Sequence, residues 1–284
     1  MTNPIGIHLS YWTSQWSDGV LPLLERARTA GFDGAELPLL DPAHMDYQAL
    51  HRQADGLGLR LTCCTGLPAD ADISSPDPAA RQRGIDHLMT CLDGAAAVQS
   101  PVLAGVIYLG WGAQAPDGDP QPFIERSASV LRTVAPEAGE RGVTLCLEVL
   151  NRYESFFLNS VDEGLRFLRD IDSPHVKLNL DTYHMNIEED DIPQALRNAG
   201  PALGHLHCSA NNRKRPGLGH IPWAGIGEAL EEIDYEGWLV MECFVTHDDE
   251  VGRTMRTWRP LSGDRDGDAL EGARVLRSLG HRGG

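Results

Sequence analysis

The sequence predicts a single (β/α)8 barrel, the TIM-barrel fold, over residues 1–284, and three observations point to it. Short apolar runs typical of buried strands alternate with longer segments of helical spacing. There are eight of each, and eight repeats favour a closed barrel. The chain has 284 residues, 42% of them hydrophobic, which is ample for one large core, and α/β barrels often reach this size as one domain.

Each predicted strand is a short, mainly apolar run, as expected for a strand buried on both faces of a parallel sheet. In chain order these runs lie at 5–10, 34–38, 59–65, 102–109, 143–149, 176–181, 203–208 and 238–244. Between them, apolar residues recur at the spacing of an α-helix. The predicted helices lie at 19–30, 46–57, 79–99, 121–141, 161–170, 191–199, 224–233 and 267–279.

Residues at the helix boundaries support several of these assignments. Gly58 and Gly142 follow the second and fourth helices, where glycine commonly ends a helix. Pro78 lies near the start of the third helix, where its missing N–H has little effect. Ser160 precedes the fifth helix and Glu163 follows three residues later, which is a capping-box pattern.

A doubly wound open sheet is the structural alternative. Such sheets usually carry a glycine-rich turn after the first strand. Here the first strand continues into Ser10, Tyr11 and Trp12, which is no dinucleotide-binding motif. The barrel is therefore the favoured architecture.

The charge balance argues against several classes of partner. With 24 Lys and Arg against 41 Asp and Glu, the net charge is −17, which repels nucleic acid backbones. No run approaches the roughly 18 apolar residues of a membrane-spanning helix, so we expect no membrane association. The first residues do not combine a basic region with an apolar segment, so no secretory signal is expected.

The six cysteines are scattered along the chain with no paired spacing. We therefore expect reduced thiols in a cytoplasmic protein rather than a disulfide framework. They are Cys63, Cys64, Cys91, Cys146, Cys208 and Cys243.

Four consecutive predicted strands end in side chains that can ligate a metal. Barrel active sites lie at the carboxyl ends of the strands, so these four side chains would meet at one rim. Three carboxylates and one imidazole suit a divalent cation such as Mn, Co, Mg or Zn. The alternative is that they are solvated acids at the starts of loops. The four residues are Glu148, Asp181, His207 and Glu242.

Three further polar residues follow closely, on what we expect to be loops over the same rim: Glu154, His184 and Arg213. A solvated loop charge remains an alternative for Arg213, and a capping or core residue for His184. Trp16, with Tyr11 and Trp12, is expected to form a wall beside this rim, although core packing explains Trp12 equally well. His205 is expected to be an interior residue rather than a fifth ligand.

Several segments resemble the family of D-tagatose 3-epimerase and D-allulose (psicose) 3-epimerase, a branch of the xylose-isomerase-like sugar isomerase and epimerase barrels. The most specific segment is DTYHMNIEE at 181–189. LEVLNRYE at 147–154, HCSANNR at 207–213 and GHIPW at 219–223 are also similar to the family. The likeness runs nearly end to end, from GFDG at 31–34 to MRTWR at 255–259.

The resemblance implies a reversible, metal-dependent inversion at C3 of a free ketohexose or ketopentose through a cis-enediolate. It implies Mn2+ or Co2+ as the metal and a homodimer or homotetramer as the assembly. By position it implies the metal ligands Glu148, Asp181, His207 and Glu242. Glu148 and Glu242 match the two carboxylates that move the proton, while Glu154, His184 and Arg213 match residues that hold the C1–C3 end of the sugar.

Two positions depart from the family pattern. Ala210 stands where the family usually has a glutamate, and His8 stands where relatives carry an aromatic residue near the far end of the sugar. His8 and Trp16 are the candidate contacts there. These departures leave the identity of the sugar open.

Three other functions remain as alternatives. Another activity of the same barrel group, such as a hydroxypyruvate-type isomerase, an inosose dehydratase or a keto-glycoside lyase, would use a similar site. A related DNA-repair endonuclease would need a His-rich zinc cluster and a basic face, against the net charge of −17. A catalytically silent sugar-binding subunit is the third. The chain carries no phosphate-binding loop, which favours an unphosphorylated sugar.

Overall fold

The strands form a closed parallel barrel in which each strand pairs with its neighbours in chain order, from the first to the eighth. The coordinates are a computed structural model that describes residues 3–17 and 19–279. The predicted (β/α)8 fold is confirmed. Asp18 and the two ends of the predicted 1–284 domain lie outside the described residues.

The barrel strands keep the predicted order and close through pairing of the first with the last, where Ile7 aligns with Met241. Their bounds are β1 Ile5–His8, β2 Gly34–Pro38, β3 Arg60–Leu67, β4 Val102–Gly110, β5 Thr144–Val149, β6 Val176–Asp181, β7 Leu203–Cys208 and β8 Leu239–Met241.

Helices cover the outside of the barrel. They are α1 Leu23–Thr29, α2 Tyr47–Leu57, α3 Pro78–Ala97, α4 Gln121–Glu140, α5 Val161–Ile171, α6 Thr182–Glu188, α7 Ile192–Ala199, α8 Trp223–Glu232, α9 Glu250–Thr254 and α10 Arg265–Leu279. The predicted boundary signals act as expected: Ser160 accepts a hydrogen bond from the Glu163 N–H at 3.3 Å, and Gly58 ends α2 with a φ of 66°.

Two predicted strands run two or more residues past the observed ends. β1 ends at His8, and the chain turns into a short 3-10 helix, Leu9–Tyr11. β8 ends at Met241, so Glu242 follows the strand rather than ending it. In both places apolar residues recur past the end of the strand, Leu9 after β1 and Cys243 and Phe244 after β8, so the apolar pattern alone does not mark where pairing stops.

α6 and α9 were not predicted from the sequence. Both are short, with seven and five residues, too few for a helical repeat of apolar residues to stand out. The prediction that His184 lies on a loop is wrong, because this residue belongs to α6. α6 begins at Asp181, whose side chain accepts a hydrogen bond from the Tyr183 N–H at 2.8 Å. Asp181 therefore ends a strand and caps a helix.

Within the described ranges 3–17 and 19–279, no helix combines the length and apolar character needed to cross a bilayer.

All six cysteines are buried, free thiols. Burial raises the pKa of every one of these thiols above its ordinary value, so the reactive thiolate is scarce. We predict that a thiol reagent will react slowly with the native protein and will titrate six thiols after denaturation without reductant. A reproducible count of four or fewer in freshly prepared protein would contradict the absence of disulfides.

Candidate active site

The carboxyl ends of the strands surround a cavity of about 360 Å³. Seven side chains singled out from the sequence line it: His8, Trp16, Glu148, Glu154, His184, Arg213 and Glu242. Asp181 and His207, both fully buried, contact the wall residues from below. The fold therefore brings these nine candidate residues to one end of the barrel.

Four of these side chains form one cluster of possible metal ligands. Neighbouring strands place them together: Glu148 lies in β5, Asp181 ends β6 and aligns with His207 on β7, and Glu242 directly follows β8. One ligand atom from each lies within 4.8 Å of the others. All four are at most 6% exposed, so the alternative of solvated rim acids does not fit the cluster.

Burial and the neighbouring charges shift the pKa of each carboxyl in the cluster. Burial raises the pKa of the Asp181 carboxyl to about 8, although Arg213 acts in the opposite direction. Burial and the neighbouring Glu242 also raise the pKa of Glu148. Burial alone would raise the pKa of Glu242 too, but His207 and His8 outweigh it and lower that pKa. The two glutamates therefore differ in their affinity for a proton.

The donor set fits a divalent cation. Three buried carboxylates repel one another in a site of low dielectric, and a dication would offset two of their three negative charges without added protons. Carboxylate oxygens with one imidazole nitrogen are typical ligands of Mn2+, Co2+, Mg2+ and Zn2+. The chemistry of the residues present is thus suited to the metal that the sequence suggested.

Arg213 is a buried part of the cluster. Its guanidinium lies 3.3 Å from Asp181 Oδ2 and 3.4 Å from Glu242 Oε2, and it stacks 4.0 Å from the ring of Tyr183. Only 7% of the residue is exposed, which excludes the alternative of a solvated loop charge. A buried cation between two acids partly compensates their charge and remains available to a ligand in the cavity.

One ring nitrogen of His184 lies near the cluster, and the other contacts Asn151. The N–H of Asn151 donates to His184 Nδ1 at 3.2 Å, and the Asn151 side-chain amide lies 2.8 Å from the same atom. Nε2 lies 3.7 Å from Glu148 Oε1. Burial, with Arg213 nearby, holds the pKa of His184 well below its ordinary value. The ring is therefore neutral, with Nε2 as a hydrogen-bond donor toward the cavity.

Asn151 also positions Glu154. Its amide nitrogen donates to Glu154 Oε1 at 2.9 Å, so one side chain contacts both Glu154 and His184. This role of Asn151 was not predicted from the sequence. The available signal was its place two residues after the end of β5, between the candidates Glu148 and Glu154.

Aromatic rings line the side of the cavity near β1. The ring of His8 lies 6.4 Å from that of His207 and 6.2 Å from that of Phe244, measured between centroids. His8 Nδ1 is buried and has no hydrogen-bond partner among the residues described. Trp16 lies 6.3 Å from Phe244, and its indole N–H donates to Thr254 Oγ1 at 3.2 Å. Phe244 was not predicted from the sequence.

The predicted aromatic wall is only partly present. Trp16 lines the cavity, but Tyr11 and Trp12 pack toward α10, where the Trp12 indole donates to Asp266 Oδ1 at 2.9 Å. His205, on β7, lies outside the four-residue cluster. Ala210 is fully buried.

Glu36 is a second residue that the sequence analysis missed. It lies on β2, has no exposed surface, and its Oε2 lies 2.7 Å from His207 Nε2. Burial alone would raise its pKa, but His205 and His207 outweigh it and hold the pKa of Glu36 well below its ordinary value. A single acid inside the apolar run GAELP was the signal that pointed to it.

Comparisons with known proteins agree with this arrangement. The chain matches the xylose isomerase-like TIM barrel family over residues 24–279. It is 38% identical over 270 residues to a D-psicose 3-epimerase from Ruminiclostridium cellulolyticum, covering 94% of this chain and 92% of that protein. It is 37% identical over 265 residues to an L-ribulose 3-epimerase from Mesorhizobium japonicum, with 92% and 88% covered.

A solved structure of a similar protein has the same fold. The D-psicose 3-epimerase from Clostridium cellulolyticum H10, determined with D-tagatose, has a TM-score of 0.92 to this structure at 36% identity. The match covers 97% of this chain and 99% of that one. The similarity therefore extends over nearly the whole chain.

Proposed function

We propose that this chain, which belongs to the ketose 3-epimerases of the xylose isomerase-like TIM barrel family, reversibly inverts C3 of a free ketose with a divalent cation in its site. One observation carries the proposal. Two carboxylates, Glu148 Oε1 and Glu242 Oε2, each lie 3.6 Å from the same nitrogen, His207 Nδ1, at the floor of a cavity of about 360 Å³.

The cation belongs to the four-residue cluster. We propose that Glu148, Asp181, His207 and Glu242 hold it and that it is Mn2+ or Co2+, with Mg2+ and Zn2+ as further candidates. When bound, it supplies Lewis-acid stabilisation of the negative charge that develops on the sugar oxygens.

The two glutamates move the proton. Inversion at C3 of a ketose requires removal of the C–H next to the C2 carbonyl and return of a proton to the opposite face. One carboxylate takes the C3 proton and leaves a cis-enediolate, and the other, in its acid form, returns a proton from the other side. The environments of the pair suit this task, since the pKa of Glu148 is raised and that of Glu242 is lowered. The roles exchange when the reaction runs backward.

The remaining cavity residues bind and orient the sugar. His184 Nε2–H, the Arg213 guanidinium and the Glu154 carboxylate offer donors and an acceptor for the C1–C3 hydroxyls and the carbonyl. His8 and Trp16 contact the far end, where Phe244 completes a mainly apolar wall. The donors and acceptors thus lie beside the reacting carbons.

The charge of the cavity favours a free sugar over a sugar phosphate. Among the described residues, Arg213 is the one Lys or Arg that lines the cavity, and its guanidinium already contacts Asp181 and Glu242. A phosphate would add negative charge to a site that holds an excess of acids.

Two further properties follow from the family and from the thiols. We propose a homodimer or homotetramer as the assembly. The six free, buried thiols suit a reducing compartment, and we place the protein in the cytoplasm.

The experiment that tests the proposal is incubation of Mn2+-loaded protein with a panel of free ketoses and their phosphates in D2O. We expect the C3 epimer as the product, with deuterium at C3 and none at C1, and no turnover of the phosphates. Deuterium at C1 with an aldose product would identify a 1,2-isomerase, and loss of water a dehydratase. Absence of exchange with every ketose despite bound metal would indicate a silent sugar-binding subunit.

A further inference from the structure

A carboxylate lies inside the barrel, apart from the residues that line the cavity. Glu36 on β2 is fully buried, and so are the residues around it, which are at most 1% exposed. A charged side chain with no access to water is unfavourable unless it is paired, so the contacts of Glu36 define what it does. Its neighbours are Thr62, His205 and His207.

Both oxygens of Glu36 are engaged. The hydroxyl of Thr62, its register partner on β3, donates to Oε1 at 3.0 Å. Oε2 lies 2.7 Å from His207 Nε2. His205 Nε2 lies 2.7 Å from Oε1, but its ring is not aligned for a hydrogen bond to it. The aligned contacts therefore run from Thr62 to Glu36 and from His207 to Glu36.

The two nitrogens of His207 face different parts of the protein. Nε2 faces Glu36, while Nδ1 faces the cluster, 3.6 Å from Glu148 Oε1 and 3.6 Å from Glu242 Oε2. A metal-bound imidazole must offer an unprotonated nitrogen to the metal, so the other nitrogen keeps the proton. The side-chain amide nitrogen of Asn179 lies 3.2 Å from Nδ1.

We propose that Glu36 is a positioning residue for the metal ligand His207: it accepts a hydrogen bond from Nε2–H, fixes the tautomer and ring orientation, and thereby directs Nδ1 to the cation. This inference rests on the proposed function, because it assumes a cation in the four-residue cluster. A carboxylate that accepts a hydrogen bond from a ligating imidazole also makes that imidazole a stronger ligand. Glu36 acts through His207 and touches neither cation nor sugar.

A second cation held by Glu36, His205 and His207 is the competing arrangement, since one ligand atom from each lies within 4.8 Å of the others. The distances favour the hydrogen bond. Metal bonds of about 2.0–2.2 Å at tetrahedral angles place two ligand atoms about 3.3 Å or more apart. Oε2 of Glu36 and Nε2 of His207 are 2.7 Å apart, which fits a charge-assisted hydrogen bond.

The test measures the affinity of the chelator-stripped protein for Mn2+ alone, by titration calorimetry. Glu36→Gln keeps the size and one acceptor but removes the charge, and we expect the Kd for Mn2+ to rise about 10- to 100-fold. Thr62→Val removes one hydrogen bond to Glu36 and should raise the Kd by a smaller factor, about 2- to 10-fold. If Glu36→Gln does not fold, the Kd of Thr62→Val for Mn2+ tests the proposal instead.

The matched control is Leu37→Ala, on the same strand. Leu37 is fully buried in the apolar core, and adjacent strand residues point to opposite faces. This variant should be less stable and yet bind Mn2+ with the affinity of the wild type. A loss of affinity that merely followed stability would appear in Leu37→Ala as well, and that result would overturn the proposal.

A spectroscopic measurement on the wild-type protein reads the tautomer directly. In histidine-labelled protein loaded with diamagnetic Zn2+, we expect nitrogen NMR to show His207 protonated at Nε2 and metal-bound at Nδ1. Two cations per chain or an unchanged Kd in Glu36→Gln would each overturn the role of Glu36 while leaving the metal centre in place. Protonation at Nδ1 would overturn both the role of Glu36 and the assignment of His207 as a ligand of the cluster. A wild-type protein that binds no cation would instead overturn the metal centre and this inference with it.

Discussion

Replacing Glu148 or Glu242 by glutamine will lower kcat/KM for epimerisation by at least about 100-fold, the usual weight of acid–base catalysis. Glutamine keeps the size and one oxygen of the side chain but cannot take a proton from carbon. Because both glutamates are also proposed metal ligands, lost metal could produce the same result. Metal content must therefore be measured on the same samples as activity.

Exchange with solvent will distinguish the two glutamates. If they act on opposite faces of C3, each glutamine variant removes the base for one epimer and leaves the base for the other. We expect each variant to exchange the C3 hydrogen of one epimer in D2O without completing the inversion, and the two variants to differ in which epimer exchanges. Equal loss of exchange for both epimers in both variants, at full metal content, would contradict the assignment to opposite faces.

Glu189→Gln is the matched control for these substitutions. Glu189 is partly buried and accepts a hydrogen bond from the Val161 N–H at 2.8 Å, outside the cavity. Glutamine can still accept this hydrogen bond, so kcat/KM should stay at the wild-type level. A comparable loss in this variant would show that the fold, rather than proton transfer, had been affected.

The fold was predictable because its signals are local. The strand at 176–181 and the helix at 161–170 appear in the sequence as an apolar run and as a helical repeat, and the structure places them at Val176–Asp181 and Val161–Ile171. α6 was missed because seven residues are too few to carry a repeat. The end of β8 was missed because apolar residues resume at Cys243 and Phe244, just past the end of the strand.

Some residues of the candidate site were also predictable from the sequence, and others were not. Glu148 and Asp181 could be brought together from the sequence because the barrel topology sends all strand ends to one rim. The role of Glu36 could not, because it depends on a contact with His207, 171 positions later in the chain. A strand position shows that a side chain points inward but not which side chain across the barrel it meets. Residues that orient the ligands are therefore harder to predict than the ligands.

Removal of the bound cation by a chelator will abolish epimerisation, and addition of Mn2+ or Co2+ will restore it. Without a cation, Asp181 takes up a proton near neutral pH, since burial raises its pKa to about 8, and the sugar carbonyl lacks a Lewis acid. The measurement is the rate of epimerisation before and after dialysis against the chelator, with elemental analysis of each sample. Thermal unfolding of the same samples gives an independent readout, because a ligand at 100 times its Kd adds about 2.7 kcal/mol to the free energy of unfolding.

The control for metal removal is the same chelator already saturated with the cation, which should leave both activity and unfolding temperature unchanged. Loss of activity without a shift in unfolding temperature would contradict tight binding of a cation to Asp181 and His207, because such binding in the folded chain must stabilise it. Full activity in protein proven metal-free would contradict the proposed metal centre itself. Restoration by Mn2+ and Co2+ but not by Ca2+ would identify a compact site of oxygen ligands and one imidazole, because Ca2+ takes about 6–8 oxygen ligands at longer distances.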